Sequence, residues 1–98
     1  MTIREVAEDF VNRMNPSGLD GTGSKPNDFD TRIVTYDVDG YPDYVLDLSF
    51  NYDPDYLWFV VCEIRDRETE ELCEFMSGDS IPNVEELARQ IKMAFEDI

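Results

Sequence analysis

The chain contains no histidine. That single absence removes the ordinary general base near neutral pH, the Ser-His and Cys-His nucleophile pairs, and the imidazole ligands of zinc. Cysteine is almost as scarce: only Cys62 and Cys73 are present, too few for a disulfide scaffold and too few to close a tetrahedral zinc site. They read as reduced thiols packed in the core as small hydrophobes. Basic residues are in deficit too, with 8 Lys and Arg against 23 Asp and Glu and a formal net charge of −15. Direct binding to nucleic acid or to anionic lipid is disfavoured on that balance, because both need cations to neutralise phosphates. No apolar run approaches the roughly 18 to 20 residues that cross a bilayer. The opening Met1-Thr2-Ile3-Arg4-Glu5 also lacks the basic-then-apolar order of a secretory leader. A cytoplasmic location is the expectation.

What is present suffices for one core. Of 98 residues, 42% are hydrophobic and 12% aromatic, whereas chains that stay disordered lack the aromatic and β-branched residues that offset backbone entropy. A single domain spanning 1–98 is expected at this length. Thr2 and Glu5 form a capping box, and Ile3, Val6, Ala7, Phe10, Val11 and Met14 recur at helical spacing, which predicts a helix over 2–15. Asn15-Pro16-Ser17-Gly18 ends it. The Gly, Pro, Ser and Asp-rich run that follows predicts a flexible loop over 15–30.

From Thr31 the period changes to two. Val34, Tyr36 and Val38 fall on one side of a first strand, and Asp39-Gly40 predicts a tight type I′ hairpin. A second strand carries Tyr44, Leu46, Leu48, Phe50 and Tyr52 on one face, with Asp47, Ser49 and Asn51 on the other, the alternation of a sheet wet on one side. After Asp53-Pro54-Asp55, the stretch 56–65 is apolar on both faces and reads as a central strand. Asp66 to Thr69 turn the chain into a fourth strand near 70–76, a register that sets Cys62 opposite Cys73. Asn83 and Glu86 form a second capping pair, and Val84, Leu87, Ala88, Ile91, Ala94 and Phe95 make the inner face of a last helix. The fold class is α+β: helix, four-stranded antiparallel meander, helix, with both helices on one face of the sheet.

The usual constellations of chemistry are missing or incomplete. Gly18, Gly21, Gly23, Ser24 and Lys25 superficially match a phosphate-binding loop, but Pro26 follows Lys25 and the preceding element is a helix rather than a strand. Asp37-Val38-Asp39-Gly40 holds part of a calcium-loop pattern with the glycine too early and no bidentate acid at the required spacing. A turn accounts for it. Paired carboxylates could hydrolyse glycosides, yet so acidic a chain always offers pairs, and a domain of this size has little room for a cleft. The expectation is a binding protein, not an enzyme, with no cofactor and no metal.

The acids themselves are the candidate site. Asp37, Asp39, Asp43, Asp47, Asp53 and Asp55 line strand edges and turns, and Glu63, Asp66, Glu68, Glu70, Glu71 and Glu74 cluster about the third and fourth strands. Alternate residues of a strand project to one side roughly 6.8 Å apart, so rows of carboxylates approximate the spaced charges of a nucleic-acid backbone. A charge-rich surface can also merely solvate a fold. Against that stands the small number of basic neighbours, which leaves a repulsion that a bound cationic surface would relieve. Tyr41, Tyr44, Tyr52 and Tyr56 add apolar anchoring near the acidic turns or join the core.

In length, charge and lack of catalytic groups the chain resembles the small acidic inhibitors encoded by phages, especially DNA-mimicking anti-CRISPR proteins. The resemblance implies a monomer, more than a homodimer, that occupies the basic DNA channel of a nucleic-acid-binding complex such as a CRISPR effector in a bacterial cytoplasm and excludes target DNA. The alternative is a small acidic intracellular chaperone, similar to those of type III secretion, or a toxin-immunity protein, either of which binds a protein client.

Overall fold

The computed structural model of the protein describes residues 1–14, 32–53, 57–78 and 83–98. The loop expected over 15–30 lies outside the described residues. Helix α1 (Ile3–Met14) begins where the capping box sets it. The Glu5 N–H donates to Thr2 Oγ1 at 3.1 Å, and the Thr2 N–H donates to Glu5 Oε1 at 2.9 Å. The Thr2 N–H first, and then the Thr2 hydroxyl, hold the Glu5 carboxyl below its usual range. Helix α2 (Val84–Glu96) is capped by Asn83, whose Oδ1 accepts from the Glu86 N–H at 2.8 Å.

Between the helices run β1 (Arg32–Tyr36), β2 (Tyr44–Asp53), β3 (Leu57–Asp66) and β4 (Leu72–Gly78). They form one antiparallel sheet in the order β1-β2-β3-β4, the expected meander. Leu46, Leu48 and Phe50 of β2 stand opposite Ile64, Cys62 and Val60 of β3, and all six are buried. They share one cluster with Val6, Ala7 and Phe10 of α1 and Leu87, Ile91 and Phe95 of α2. Burying each large side chain contributes about 1.5–3 kcal/mol, which makes this layer the main source of stability. Polar bonds tie the layers together. Tyr36 Oη donates to Asp9 Oδ2 at 2.7 Å, and Gln90 Nε2 donates to the Val60 carbonyl at 3.4 Å. Among the described residues no helix is long and apolar enough to cross a membrane.

Three sequence expectations are corrected. The β1–β2 connection is not a two-residue hairpin: it runs from Asp37 to Asp43, and within it only Gly40 has a positive φ, of 90°. A type I′ turn needs two such residues. The Tyr41 N–H instead closes a turn on the Val38 carbonyl at 3.1 Å, as in a type II turn with glycine third. Val38 therefore lies beyond β1 yet is buried, at 5% exposure. Tyr41 stacks on Phe95 with ring centroids 4.1 Å apart and pins the connection to α2.

The second and third corrections concern the cysteines. β4 begins at Leu72, so Cys62 faces Met76 rather than Cys73. Arg65 pairs with Leu72 while Ile64 pairs with Glu74, leaving Cys73 as the extra residue of a β-bulge. Cys73 is exposed, not packed in the core, whereas Cys62 is buried. Burial pushes the Cys62 thiol up to about 12, partly countered by the Gln90 amide donating to its sulfur.

Candidate functional site: the acidic turn end of the sheet

A meander brings its first and third connections to the same end of the sheet. Here the β1–β2 loop (37–43) and the β3–β4 turn (67–71) meet there, and Arg67 joins them. Its backbone N–H donates to the Asp43 carbonyl at 2.9 Å. Its guanidinium donates to the Pro42 carbonyl at 2.8 Å, to the Tyr44 carbonyl at 3.2 Å and to the Asp37 carboxylate. The β3–β4 turn is shaped by Asp66, whose Oδ1 accepts from the Glu68 and Thr69 N–H groups at 2.9 and 3.0 Å. Those two donors, Thr69 first, hold the Asp66 carboxyl below its usual range. Glu70 then reverses the chain with φ of 63°.

Seven of the twelve candidate acids, Asp37, Asp39, Asp43, Asp66, Glu68, Glu70 and Glu71, are gathered at this end by the two connections and the last residue of β3. Asp43, Asp66 and Glu68 line one small hollow of about 280 Å³ together with Tyr44 and Arg67. Asp37 is matched by Arg67, and Asp39 by the Met1 amine at 3.0 Å. Asp43, Glu68, Glu70 and Glu71 form no ion pair among the described residues.

Asp47 and Glu63 sit apart from that group, as cross-strand neighbours on the sheet face opposite the core. Like charges placed directly opposite destabilise a sheet, and Arg65 resolves the conflict. It forms an ion pair with Asp47 at 3.5 Å and a close one with Glu63, while Thr35 Oγ1 donates to Asp47 at 2.6 Å. The expected row of carboxylates on this face is therefore bridged by one arginine, a triad that keeps one formal negative charge. Beside it lies a shallow depression of about 550 Å³ lined by Thr35, Val45, Asp47, Arg65, Arg67 and Glu70, among others. Glu74 lies on β4, where its carboxylate accepts from the Phe75 N–H at 2.9 Å. Asp53 ends β2 at the opposite end of the sheet, and Asp55 lies outside the described residues.

The tyrosines divide as well. Tyr41 and Tyr44 are half-buried and pack against the core, while the side chains of Tyr52 and Tyr56 fall outside the description. No group of three acid or thiol side chains among the described residues is arranged to hold a metal ion. Sequence reasoning passed over Arg65 and Arg67. The available signal was their spacing of two at the end of a strand flanked by acids, which puts one cation on the sheet face and the next in the turn.

No protein-family model, no curated protein and no solved structure matches this chain.

Proposed function

We propose that this protein is an acidic binding module that occupies a basic groove of a nucleic-acid-binding complex in the cytoplasm and so excludes the nucleic acid, as the phage-encoded DNA mimics it resembles do. The observation carrying this reading is the asymmetry of charge pairing. Arg4, Arg13, Arg89 and Lys92 on the helices each pair with an acid, several of them one helical turn away. At the turn end Arg67 is spent on carbonyls and Asp37 and Arg65 reaches only the Glu70 carbonyl, at 3.4 Å, leaving Asp43, Glu68, Glu70 and Glu71 exposed and without an ion pair among the described residues. An uncompensated cluster on a rim tied together by Arg67 is suited to meet Lys and Arg that otherwise hold phosphates.

The test is charge reversal where no internal partner is lost: Asp43→Lys, Glu68→Lys and Glu71→Lys together. Asp47 and Glu63 are unsuitable, because reversing them would strand Arg65 against new cations. A complex captured from host lysate should dissociate on addition of duplex DNA, weaken as salt rises from about 50 to about 500 mM, and lose about tenfold or more in affinity with the triple variant. Simultaneous binding of DNA and this protein to the captured complex overturns the reading.

A second reading has its own observation. Ile33, Leu72 and Phe75 are 68%, 50% and 53% exposed, and exposed apolar side chains are what a client-binding chaperone presents. Capture of a partner with no nucleic-acid affinity would favour it.

A further inference from the structure

The exposed apolar side chains of β4 coincide with an open sheet edge. Among the described residues β4 pairs only with β3, and Leu72 and Phe75 stand opposite Arg65 and Glu63, which places both on the face away from the core. The backbone shows which groups the edge offers. The Asp66 N–H donates to the Glu71 carbonyl at 2.9 Å, so β3 directs its polar groups toward β4 at Asp66 and, by alternation, at Ile64 and Cys62. Their partners Glu74 and Met76 then bond inward, while Phe75 and Ser77 direct theirs to the open side. The Phe75 N–H confirms this: it donates to the neighbouring Glu74 carboxylate instead of to β3.

Edges are usually blunted by charge and bulges, and this one carries both in Glu74 and the bulge at Cys73. Glu74, however, covers the Phe75 N–H only through one exposed side-chain bond of 2.9 Å. Glu70, Glu71 and Glu74 have no ion pair among the described residues, and Arg65 on the adjacent strand is held by Asp47 and Glu63. A second copy of the chain would bring the same acids to the edge and a second formal charge of −15. Charge complementarity selects a cationic occupant instead.

We propose that the β4 edge binds an extended basic segment of the partner protein by strand addition. Its apolar side chains lie on one face beside Leu72 and Phe75, and its Lys or Arg side chains lie on the other, beside Glu74. The inference shares with the functional reading above only the premise that the partner is cationic.

The experiment uses the full chain with isotope labelling and a short synthetic peptide alternating valine and lysine. Two control peptides carry glutamate for lysine, or N-methyl groups on alternate backbone nitrogens along one edge. Strand addition slows hydrogen exchange at the Phe75 and Ser77 amides by about tenfold or more, and both controls lose that protection. Salt-sensitive binding that leaves these amides unprotected overturns strand addition while leaving the acidic-groove reading intact. Equal protection by the glutamate peptide overturns the charge selection. Failure of the valine–lysine peptide to bind, or protection that rises with protein concentration alone, overturns the proposal in favour of no edge site or of self-pairing.

Discussion

Glu70 holds a φ of 63°, a region where an L side chain crowds the following carbonyl at a cost of roughly 1–2 kcal/mol. The turn tolerates it because the Glu70 N–H closes on the Asp66 carbonyl at 2.9 Å and the Asp66 carboxylate holds Glu68 and Thr69 between them. Glycine has no such cost there, although it frees the unfolded chain somewhat. Glu70→Gly is therefore expected to stabilise the protein by about 1 kcal/mol or slightly less, read as a higher midpoint in urea with an unchanged slope. A lower midpoint would show that the carboxylate itself supports the turn. Cys62 gives a pH prediction whose sign is fixed by its raised pKa. The folded state keeps the thiol protonated, so its contribution is intact below the ordinary value of 9.0 and is lost as pH rises from there through about 12. Tyr36 acts in the same direction, raised by burial and by its bond to Asp9. Cys62→Ala should be less stable than the parent at neutral pH, from the small cavity, and the gap should narrow between about pH 9 and about pH 11. Parallel melting curves across that range would refute the assignment.

Arg67 makes two connections behave as one element. Its bonds to Pro42, Tyr44 and Asp37 fix where Asp43 stands relative to Glu68, so Arg67→Ala should cost about 1 kcal/mol, discounted for the solvent around it. Amide exchange at Asp39, Gly40, Tyr41 and Asp43 should accelerate more than exchange in β2, and equal acceleration everywhere would mean Arg67 supports the whole sheet rather than the rim. This coupling also marks where reading the sequence stops. Both helix starts are legible because a cap is a local contract among four residues, as Thr2 and Glu5 show. The strands are legible because period two survives in Leu46, Leu48 and Phe50. What fails is whatever depends on counting across a turn. Asp39-Gly40 carries the letters of a hairpin, yet Tyr41 is drawn onto Phe95, Val38 is pulled into the core, and the loop lengthens to serve both. Likewise one extra residue, Cys73, is absorbed as a bulge without disturbing the local alternation, and it moves the partner of Cys62 to Met76. The acids were legible as candidates, but their sorting was not: a carboxylate answered by an arginine and one facing solvent look alike until Arg65 and Arg67 have places.

At the scale of the whole molecule, the formal charge of −15 acts on folding and on binding in opposite directions. Within the fold, the acids of the turn end repel one another, and the unfolded chain spreads that charge over a larger volume, so repulsion opposes the compact state. Salt screens it: the Debye length falls from about 30 Å at 0.01 M to about 10 Å at 0.1 M, shorter than the separation of many of the charged groups. The surface ion pairs of the helices lose strength under the same screening, but such pairs contribute little each. The melting temperature should therefore rise as salt is added, and rise less in the Asp43→Lys, Glu68→Lys, Glu71→Lys variant, whose turn end no longer carries the excess. Between the protein and a basic groove the attraction is screened as well, so affinity should fall over the same range. A protein whose acidity only keeps it dissolved would show the first trend without the second. Stabilisation and weakened binding, both diminished by the same three substitutions, would locate one charge cluster as the origin of the two effects. A melting temperature indifferent to salt, or equally sensitive in the variant, would mean that the surplus charge is dispersed too widely for the turn end to govern either.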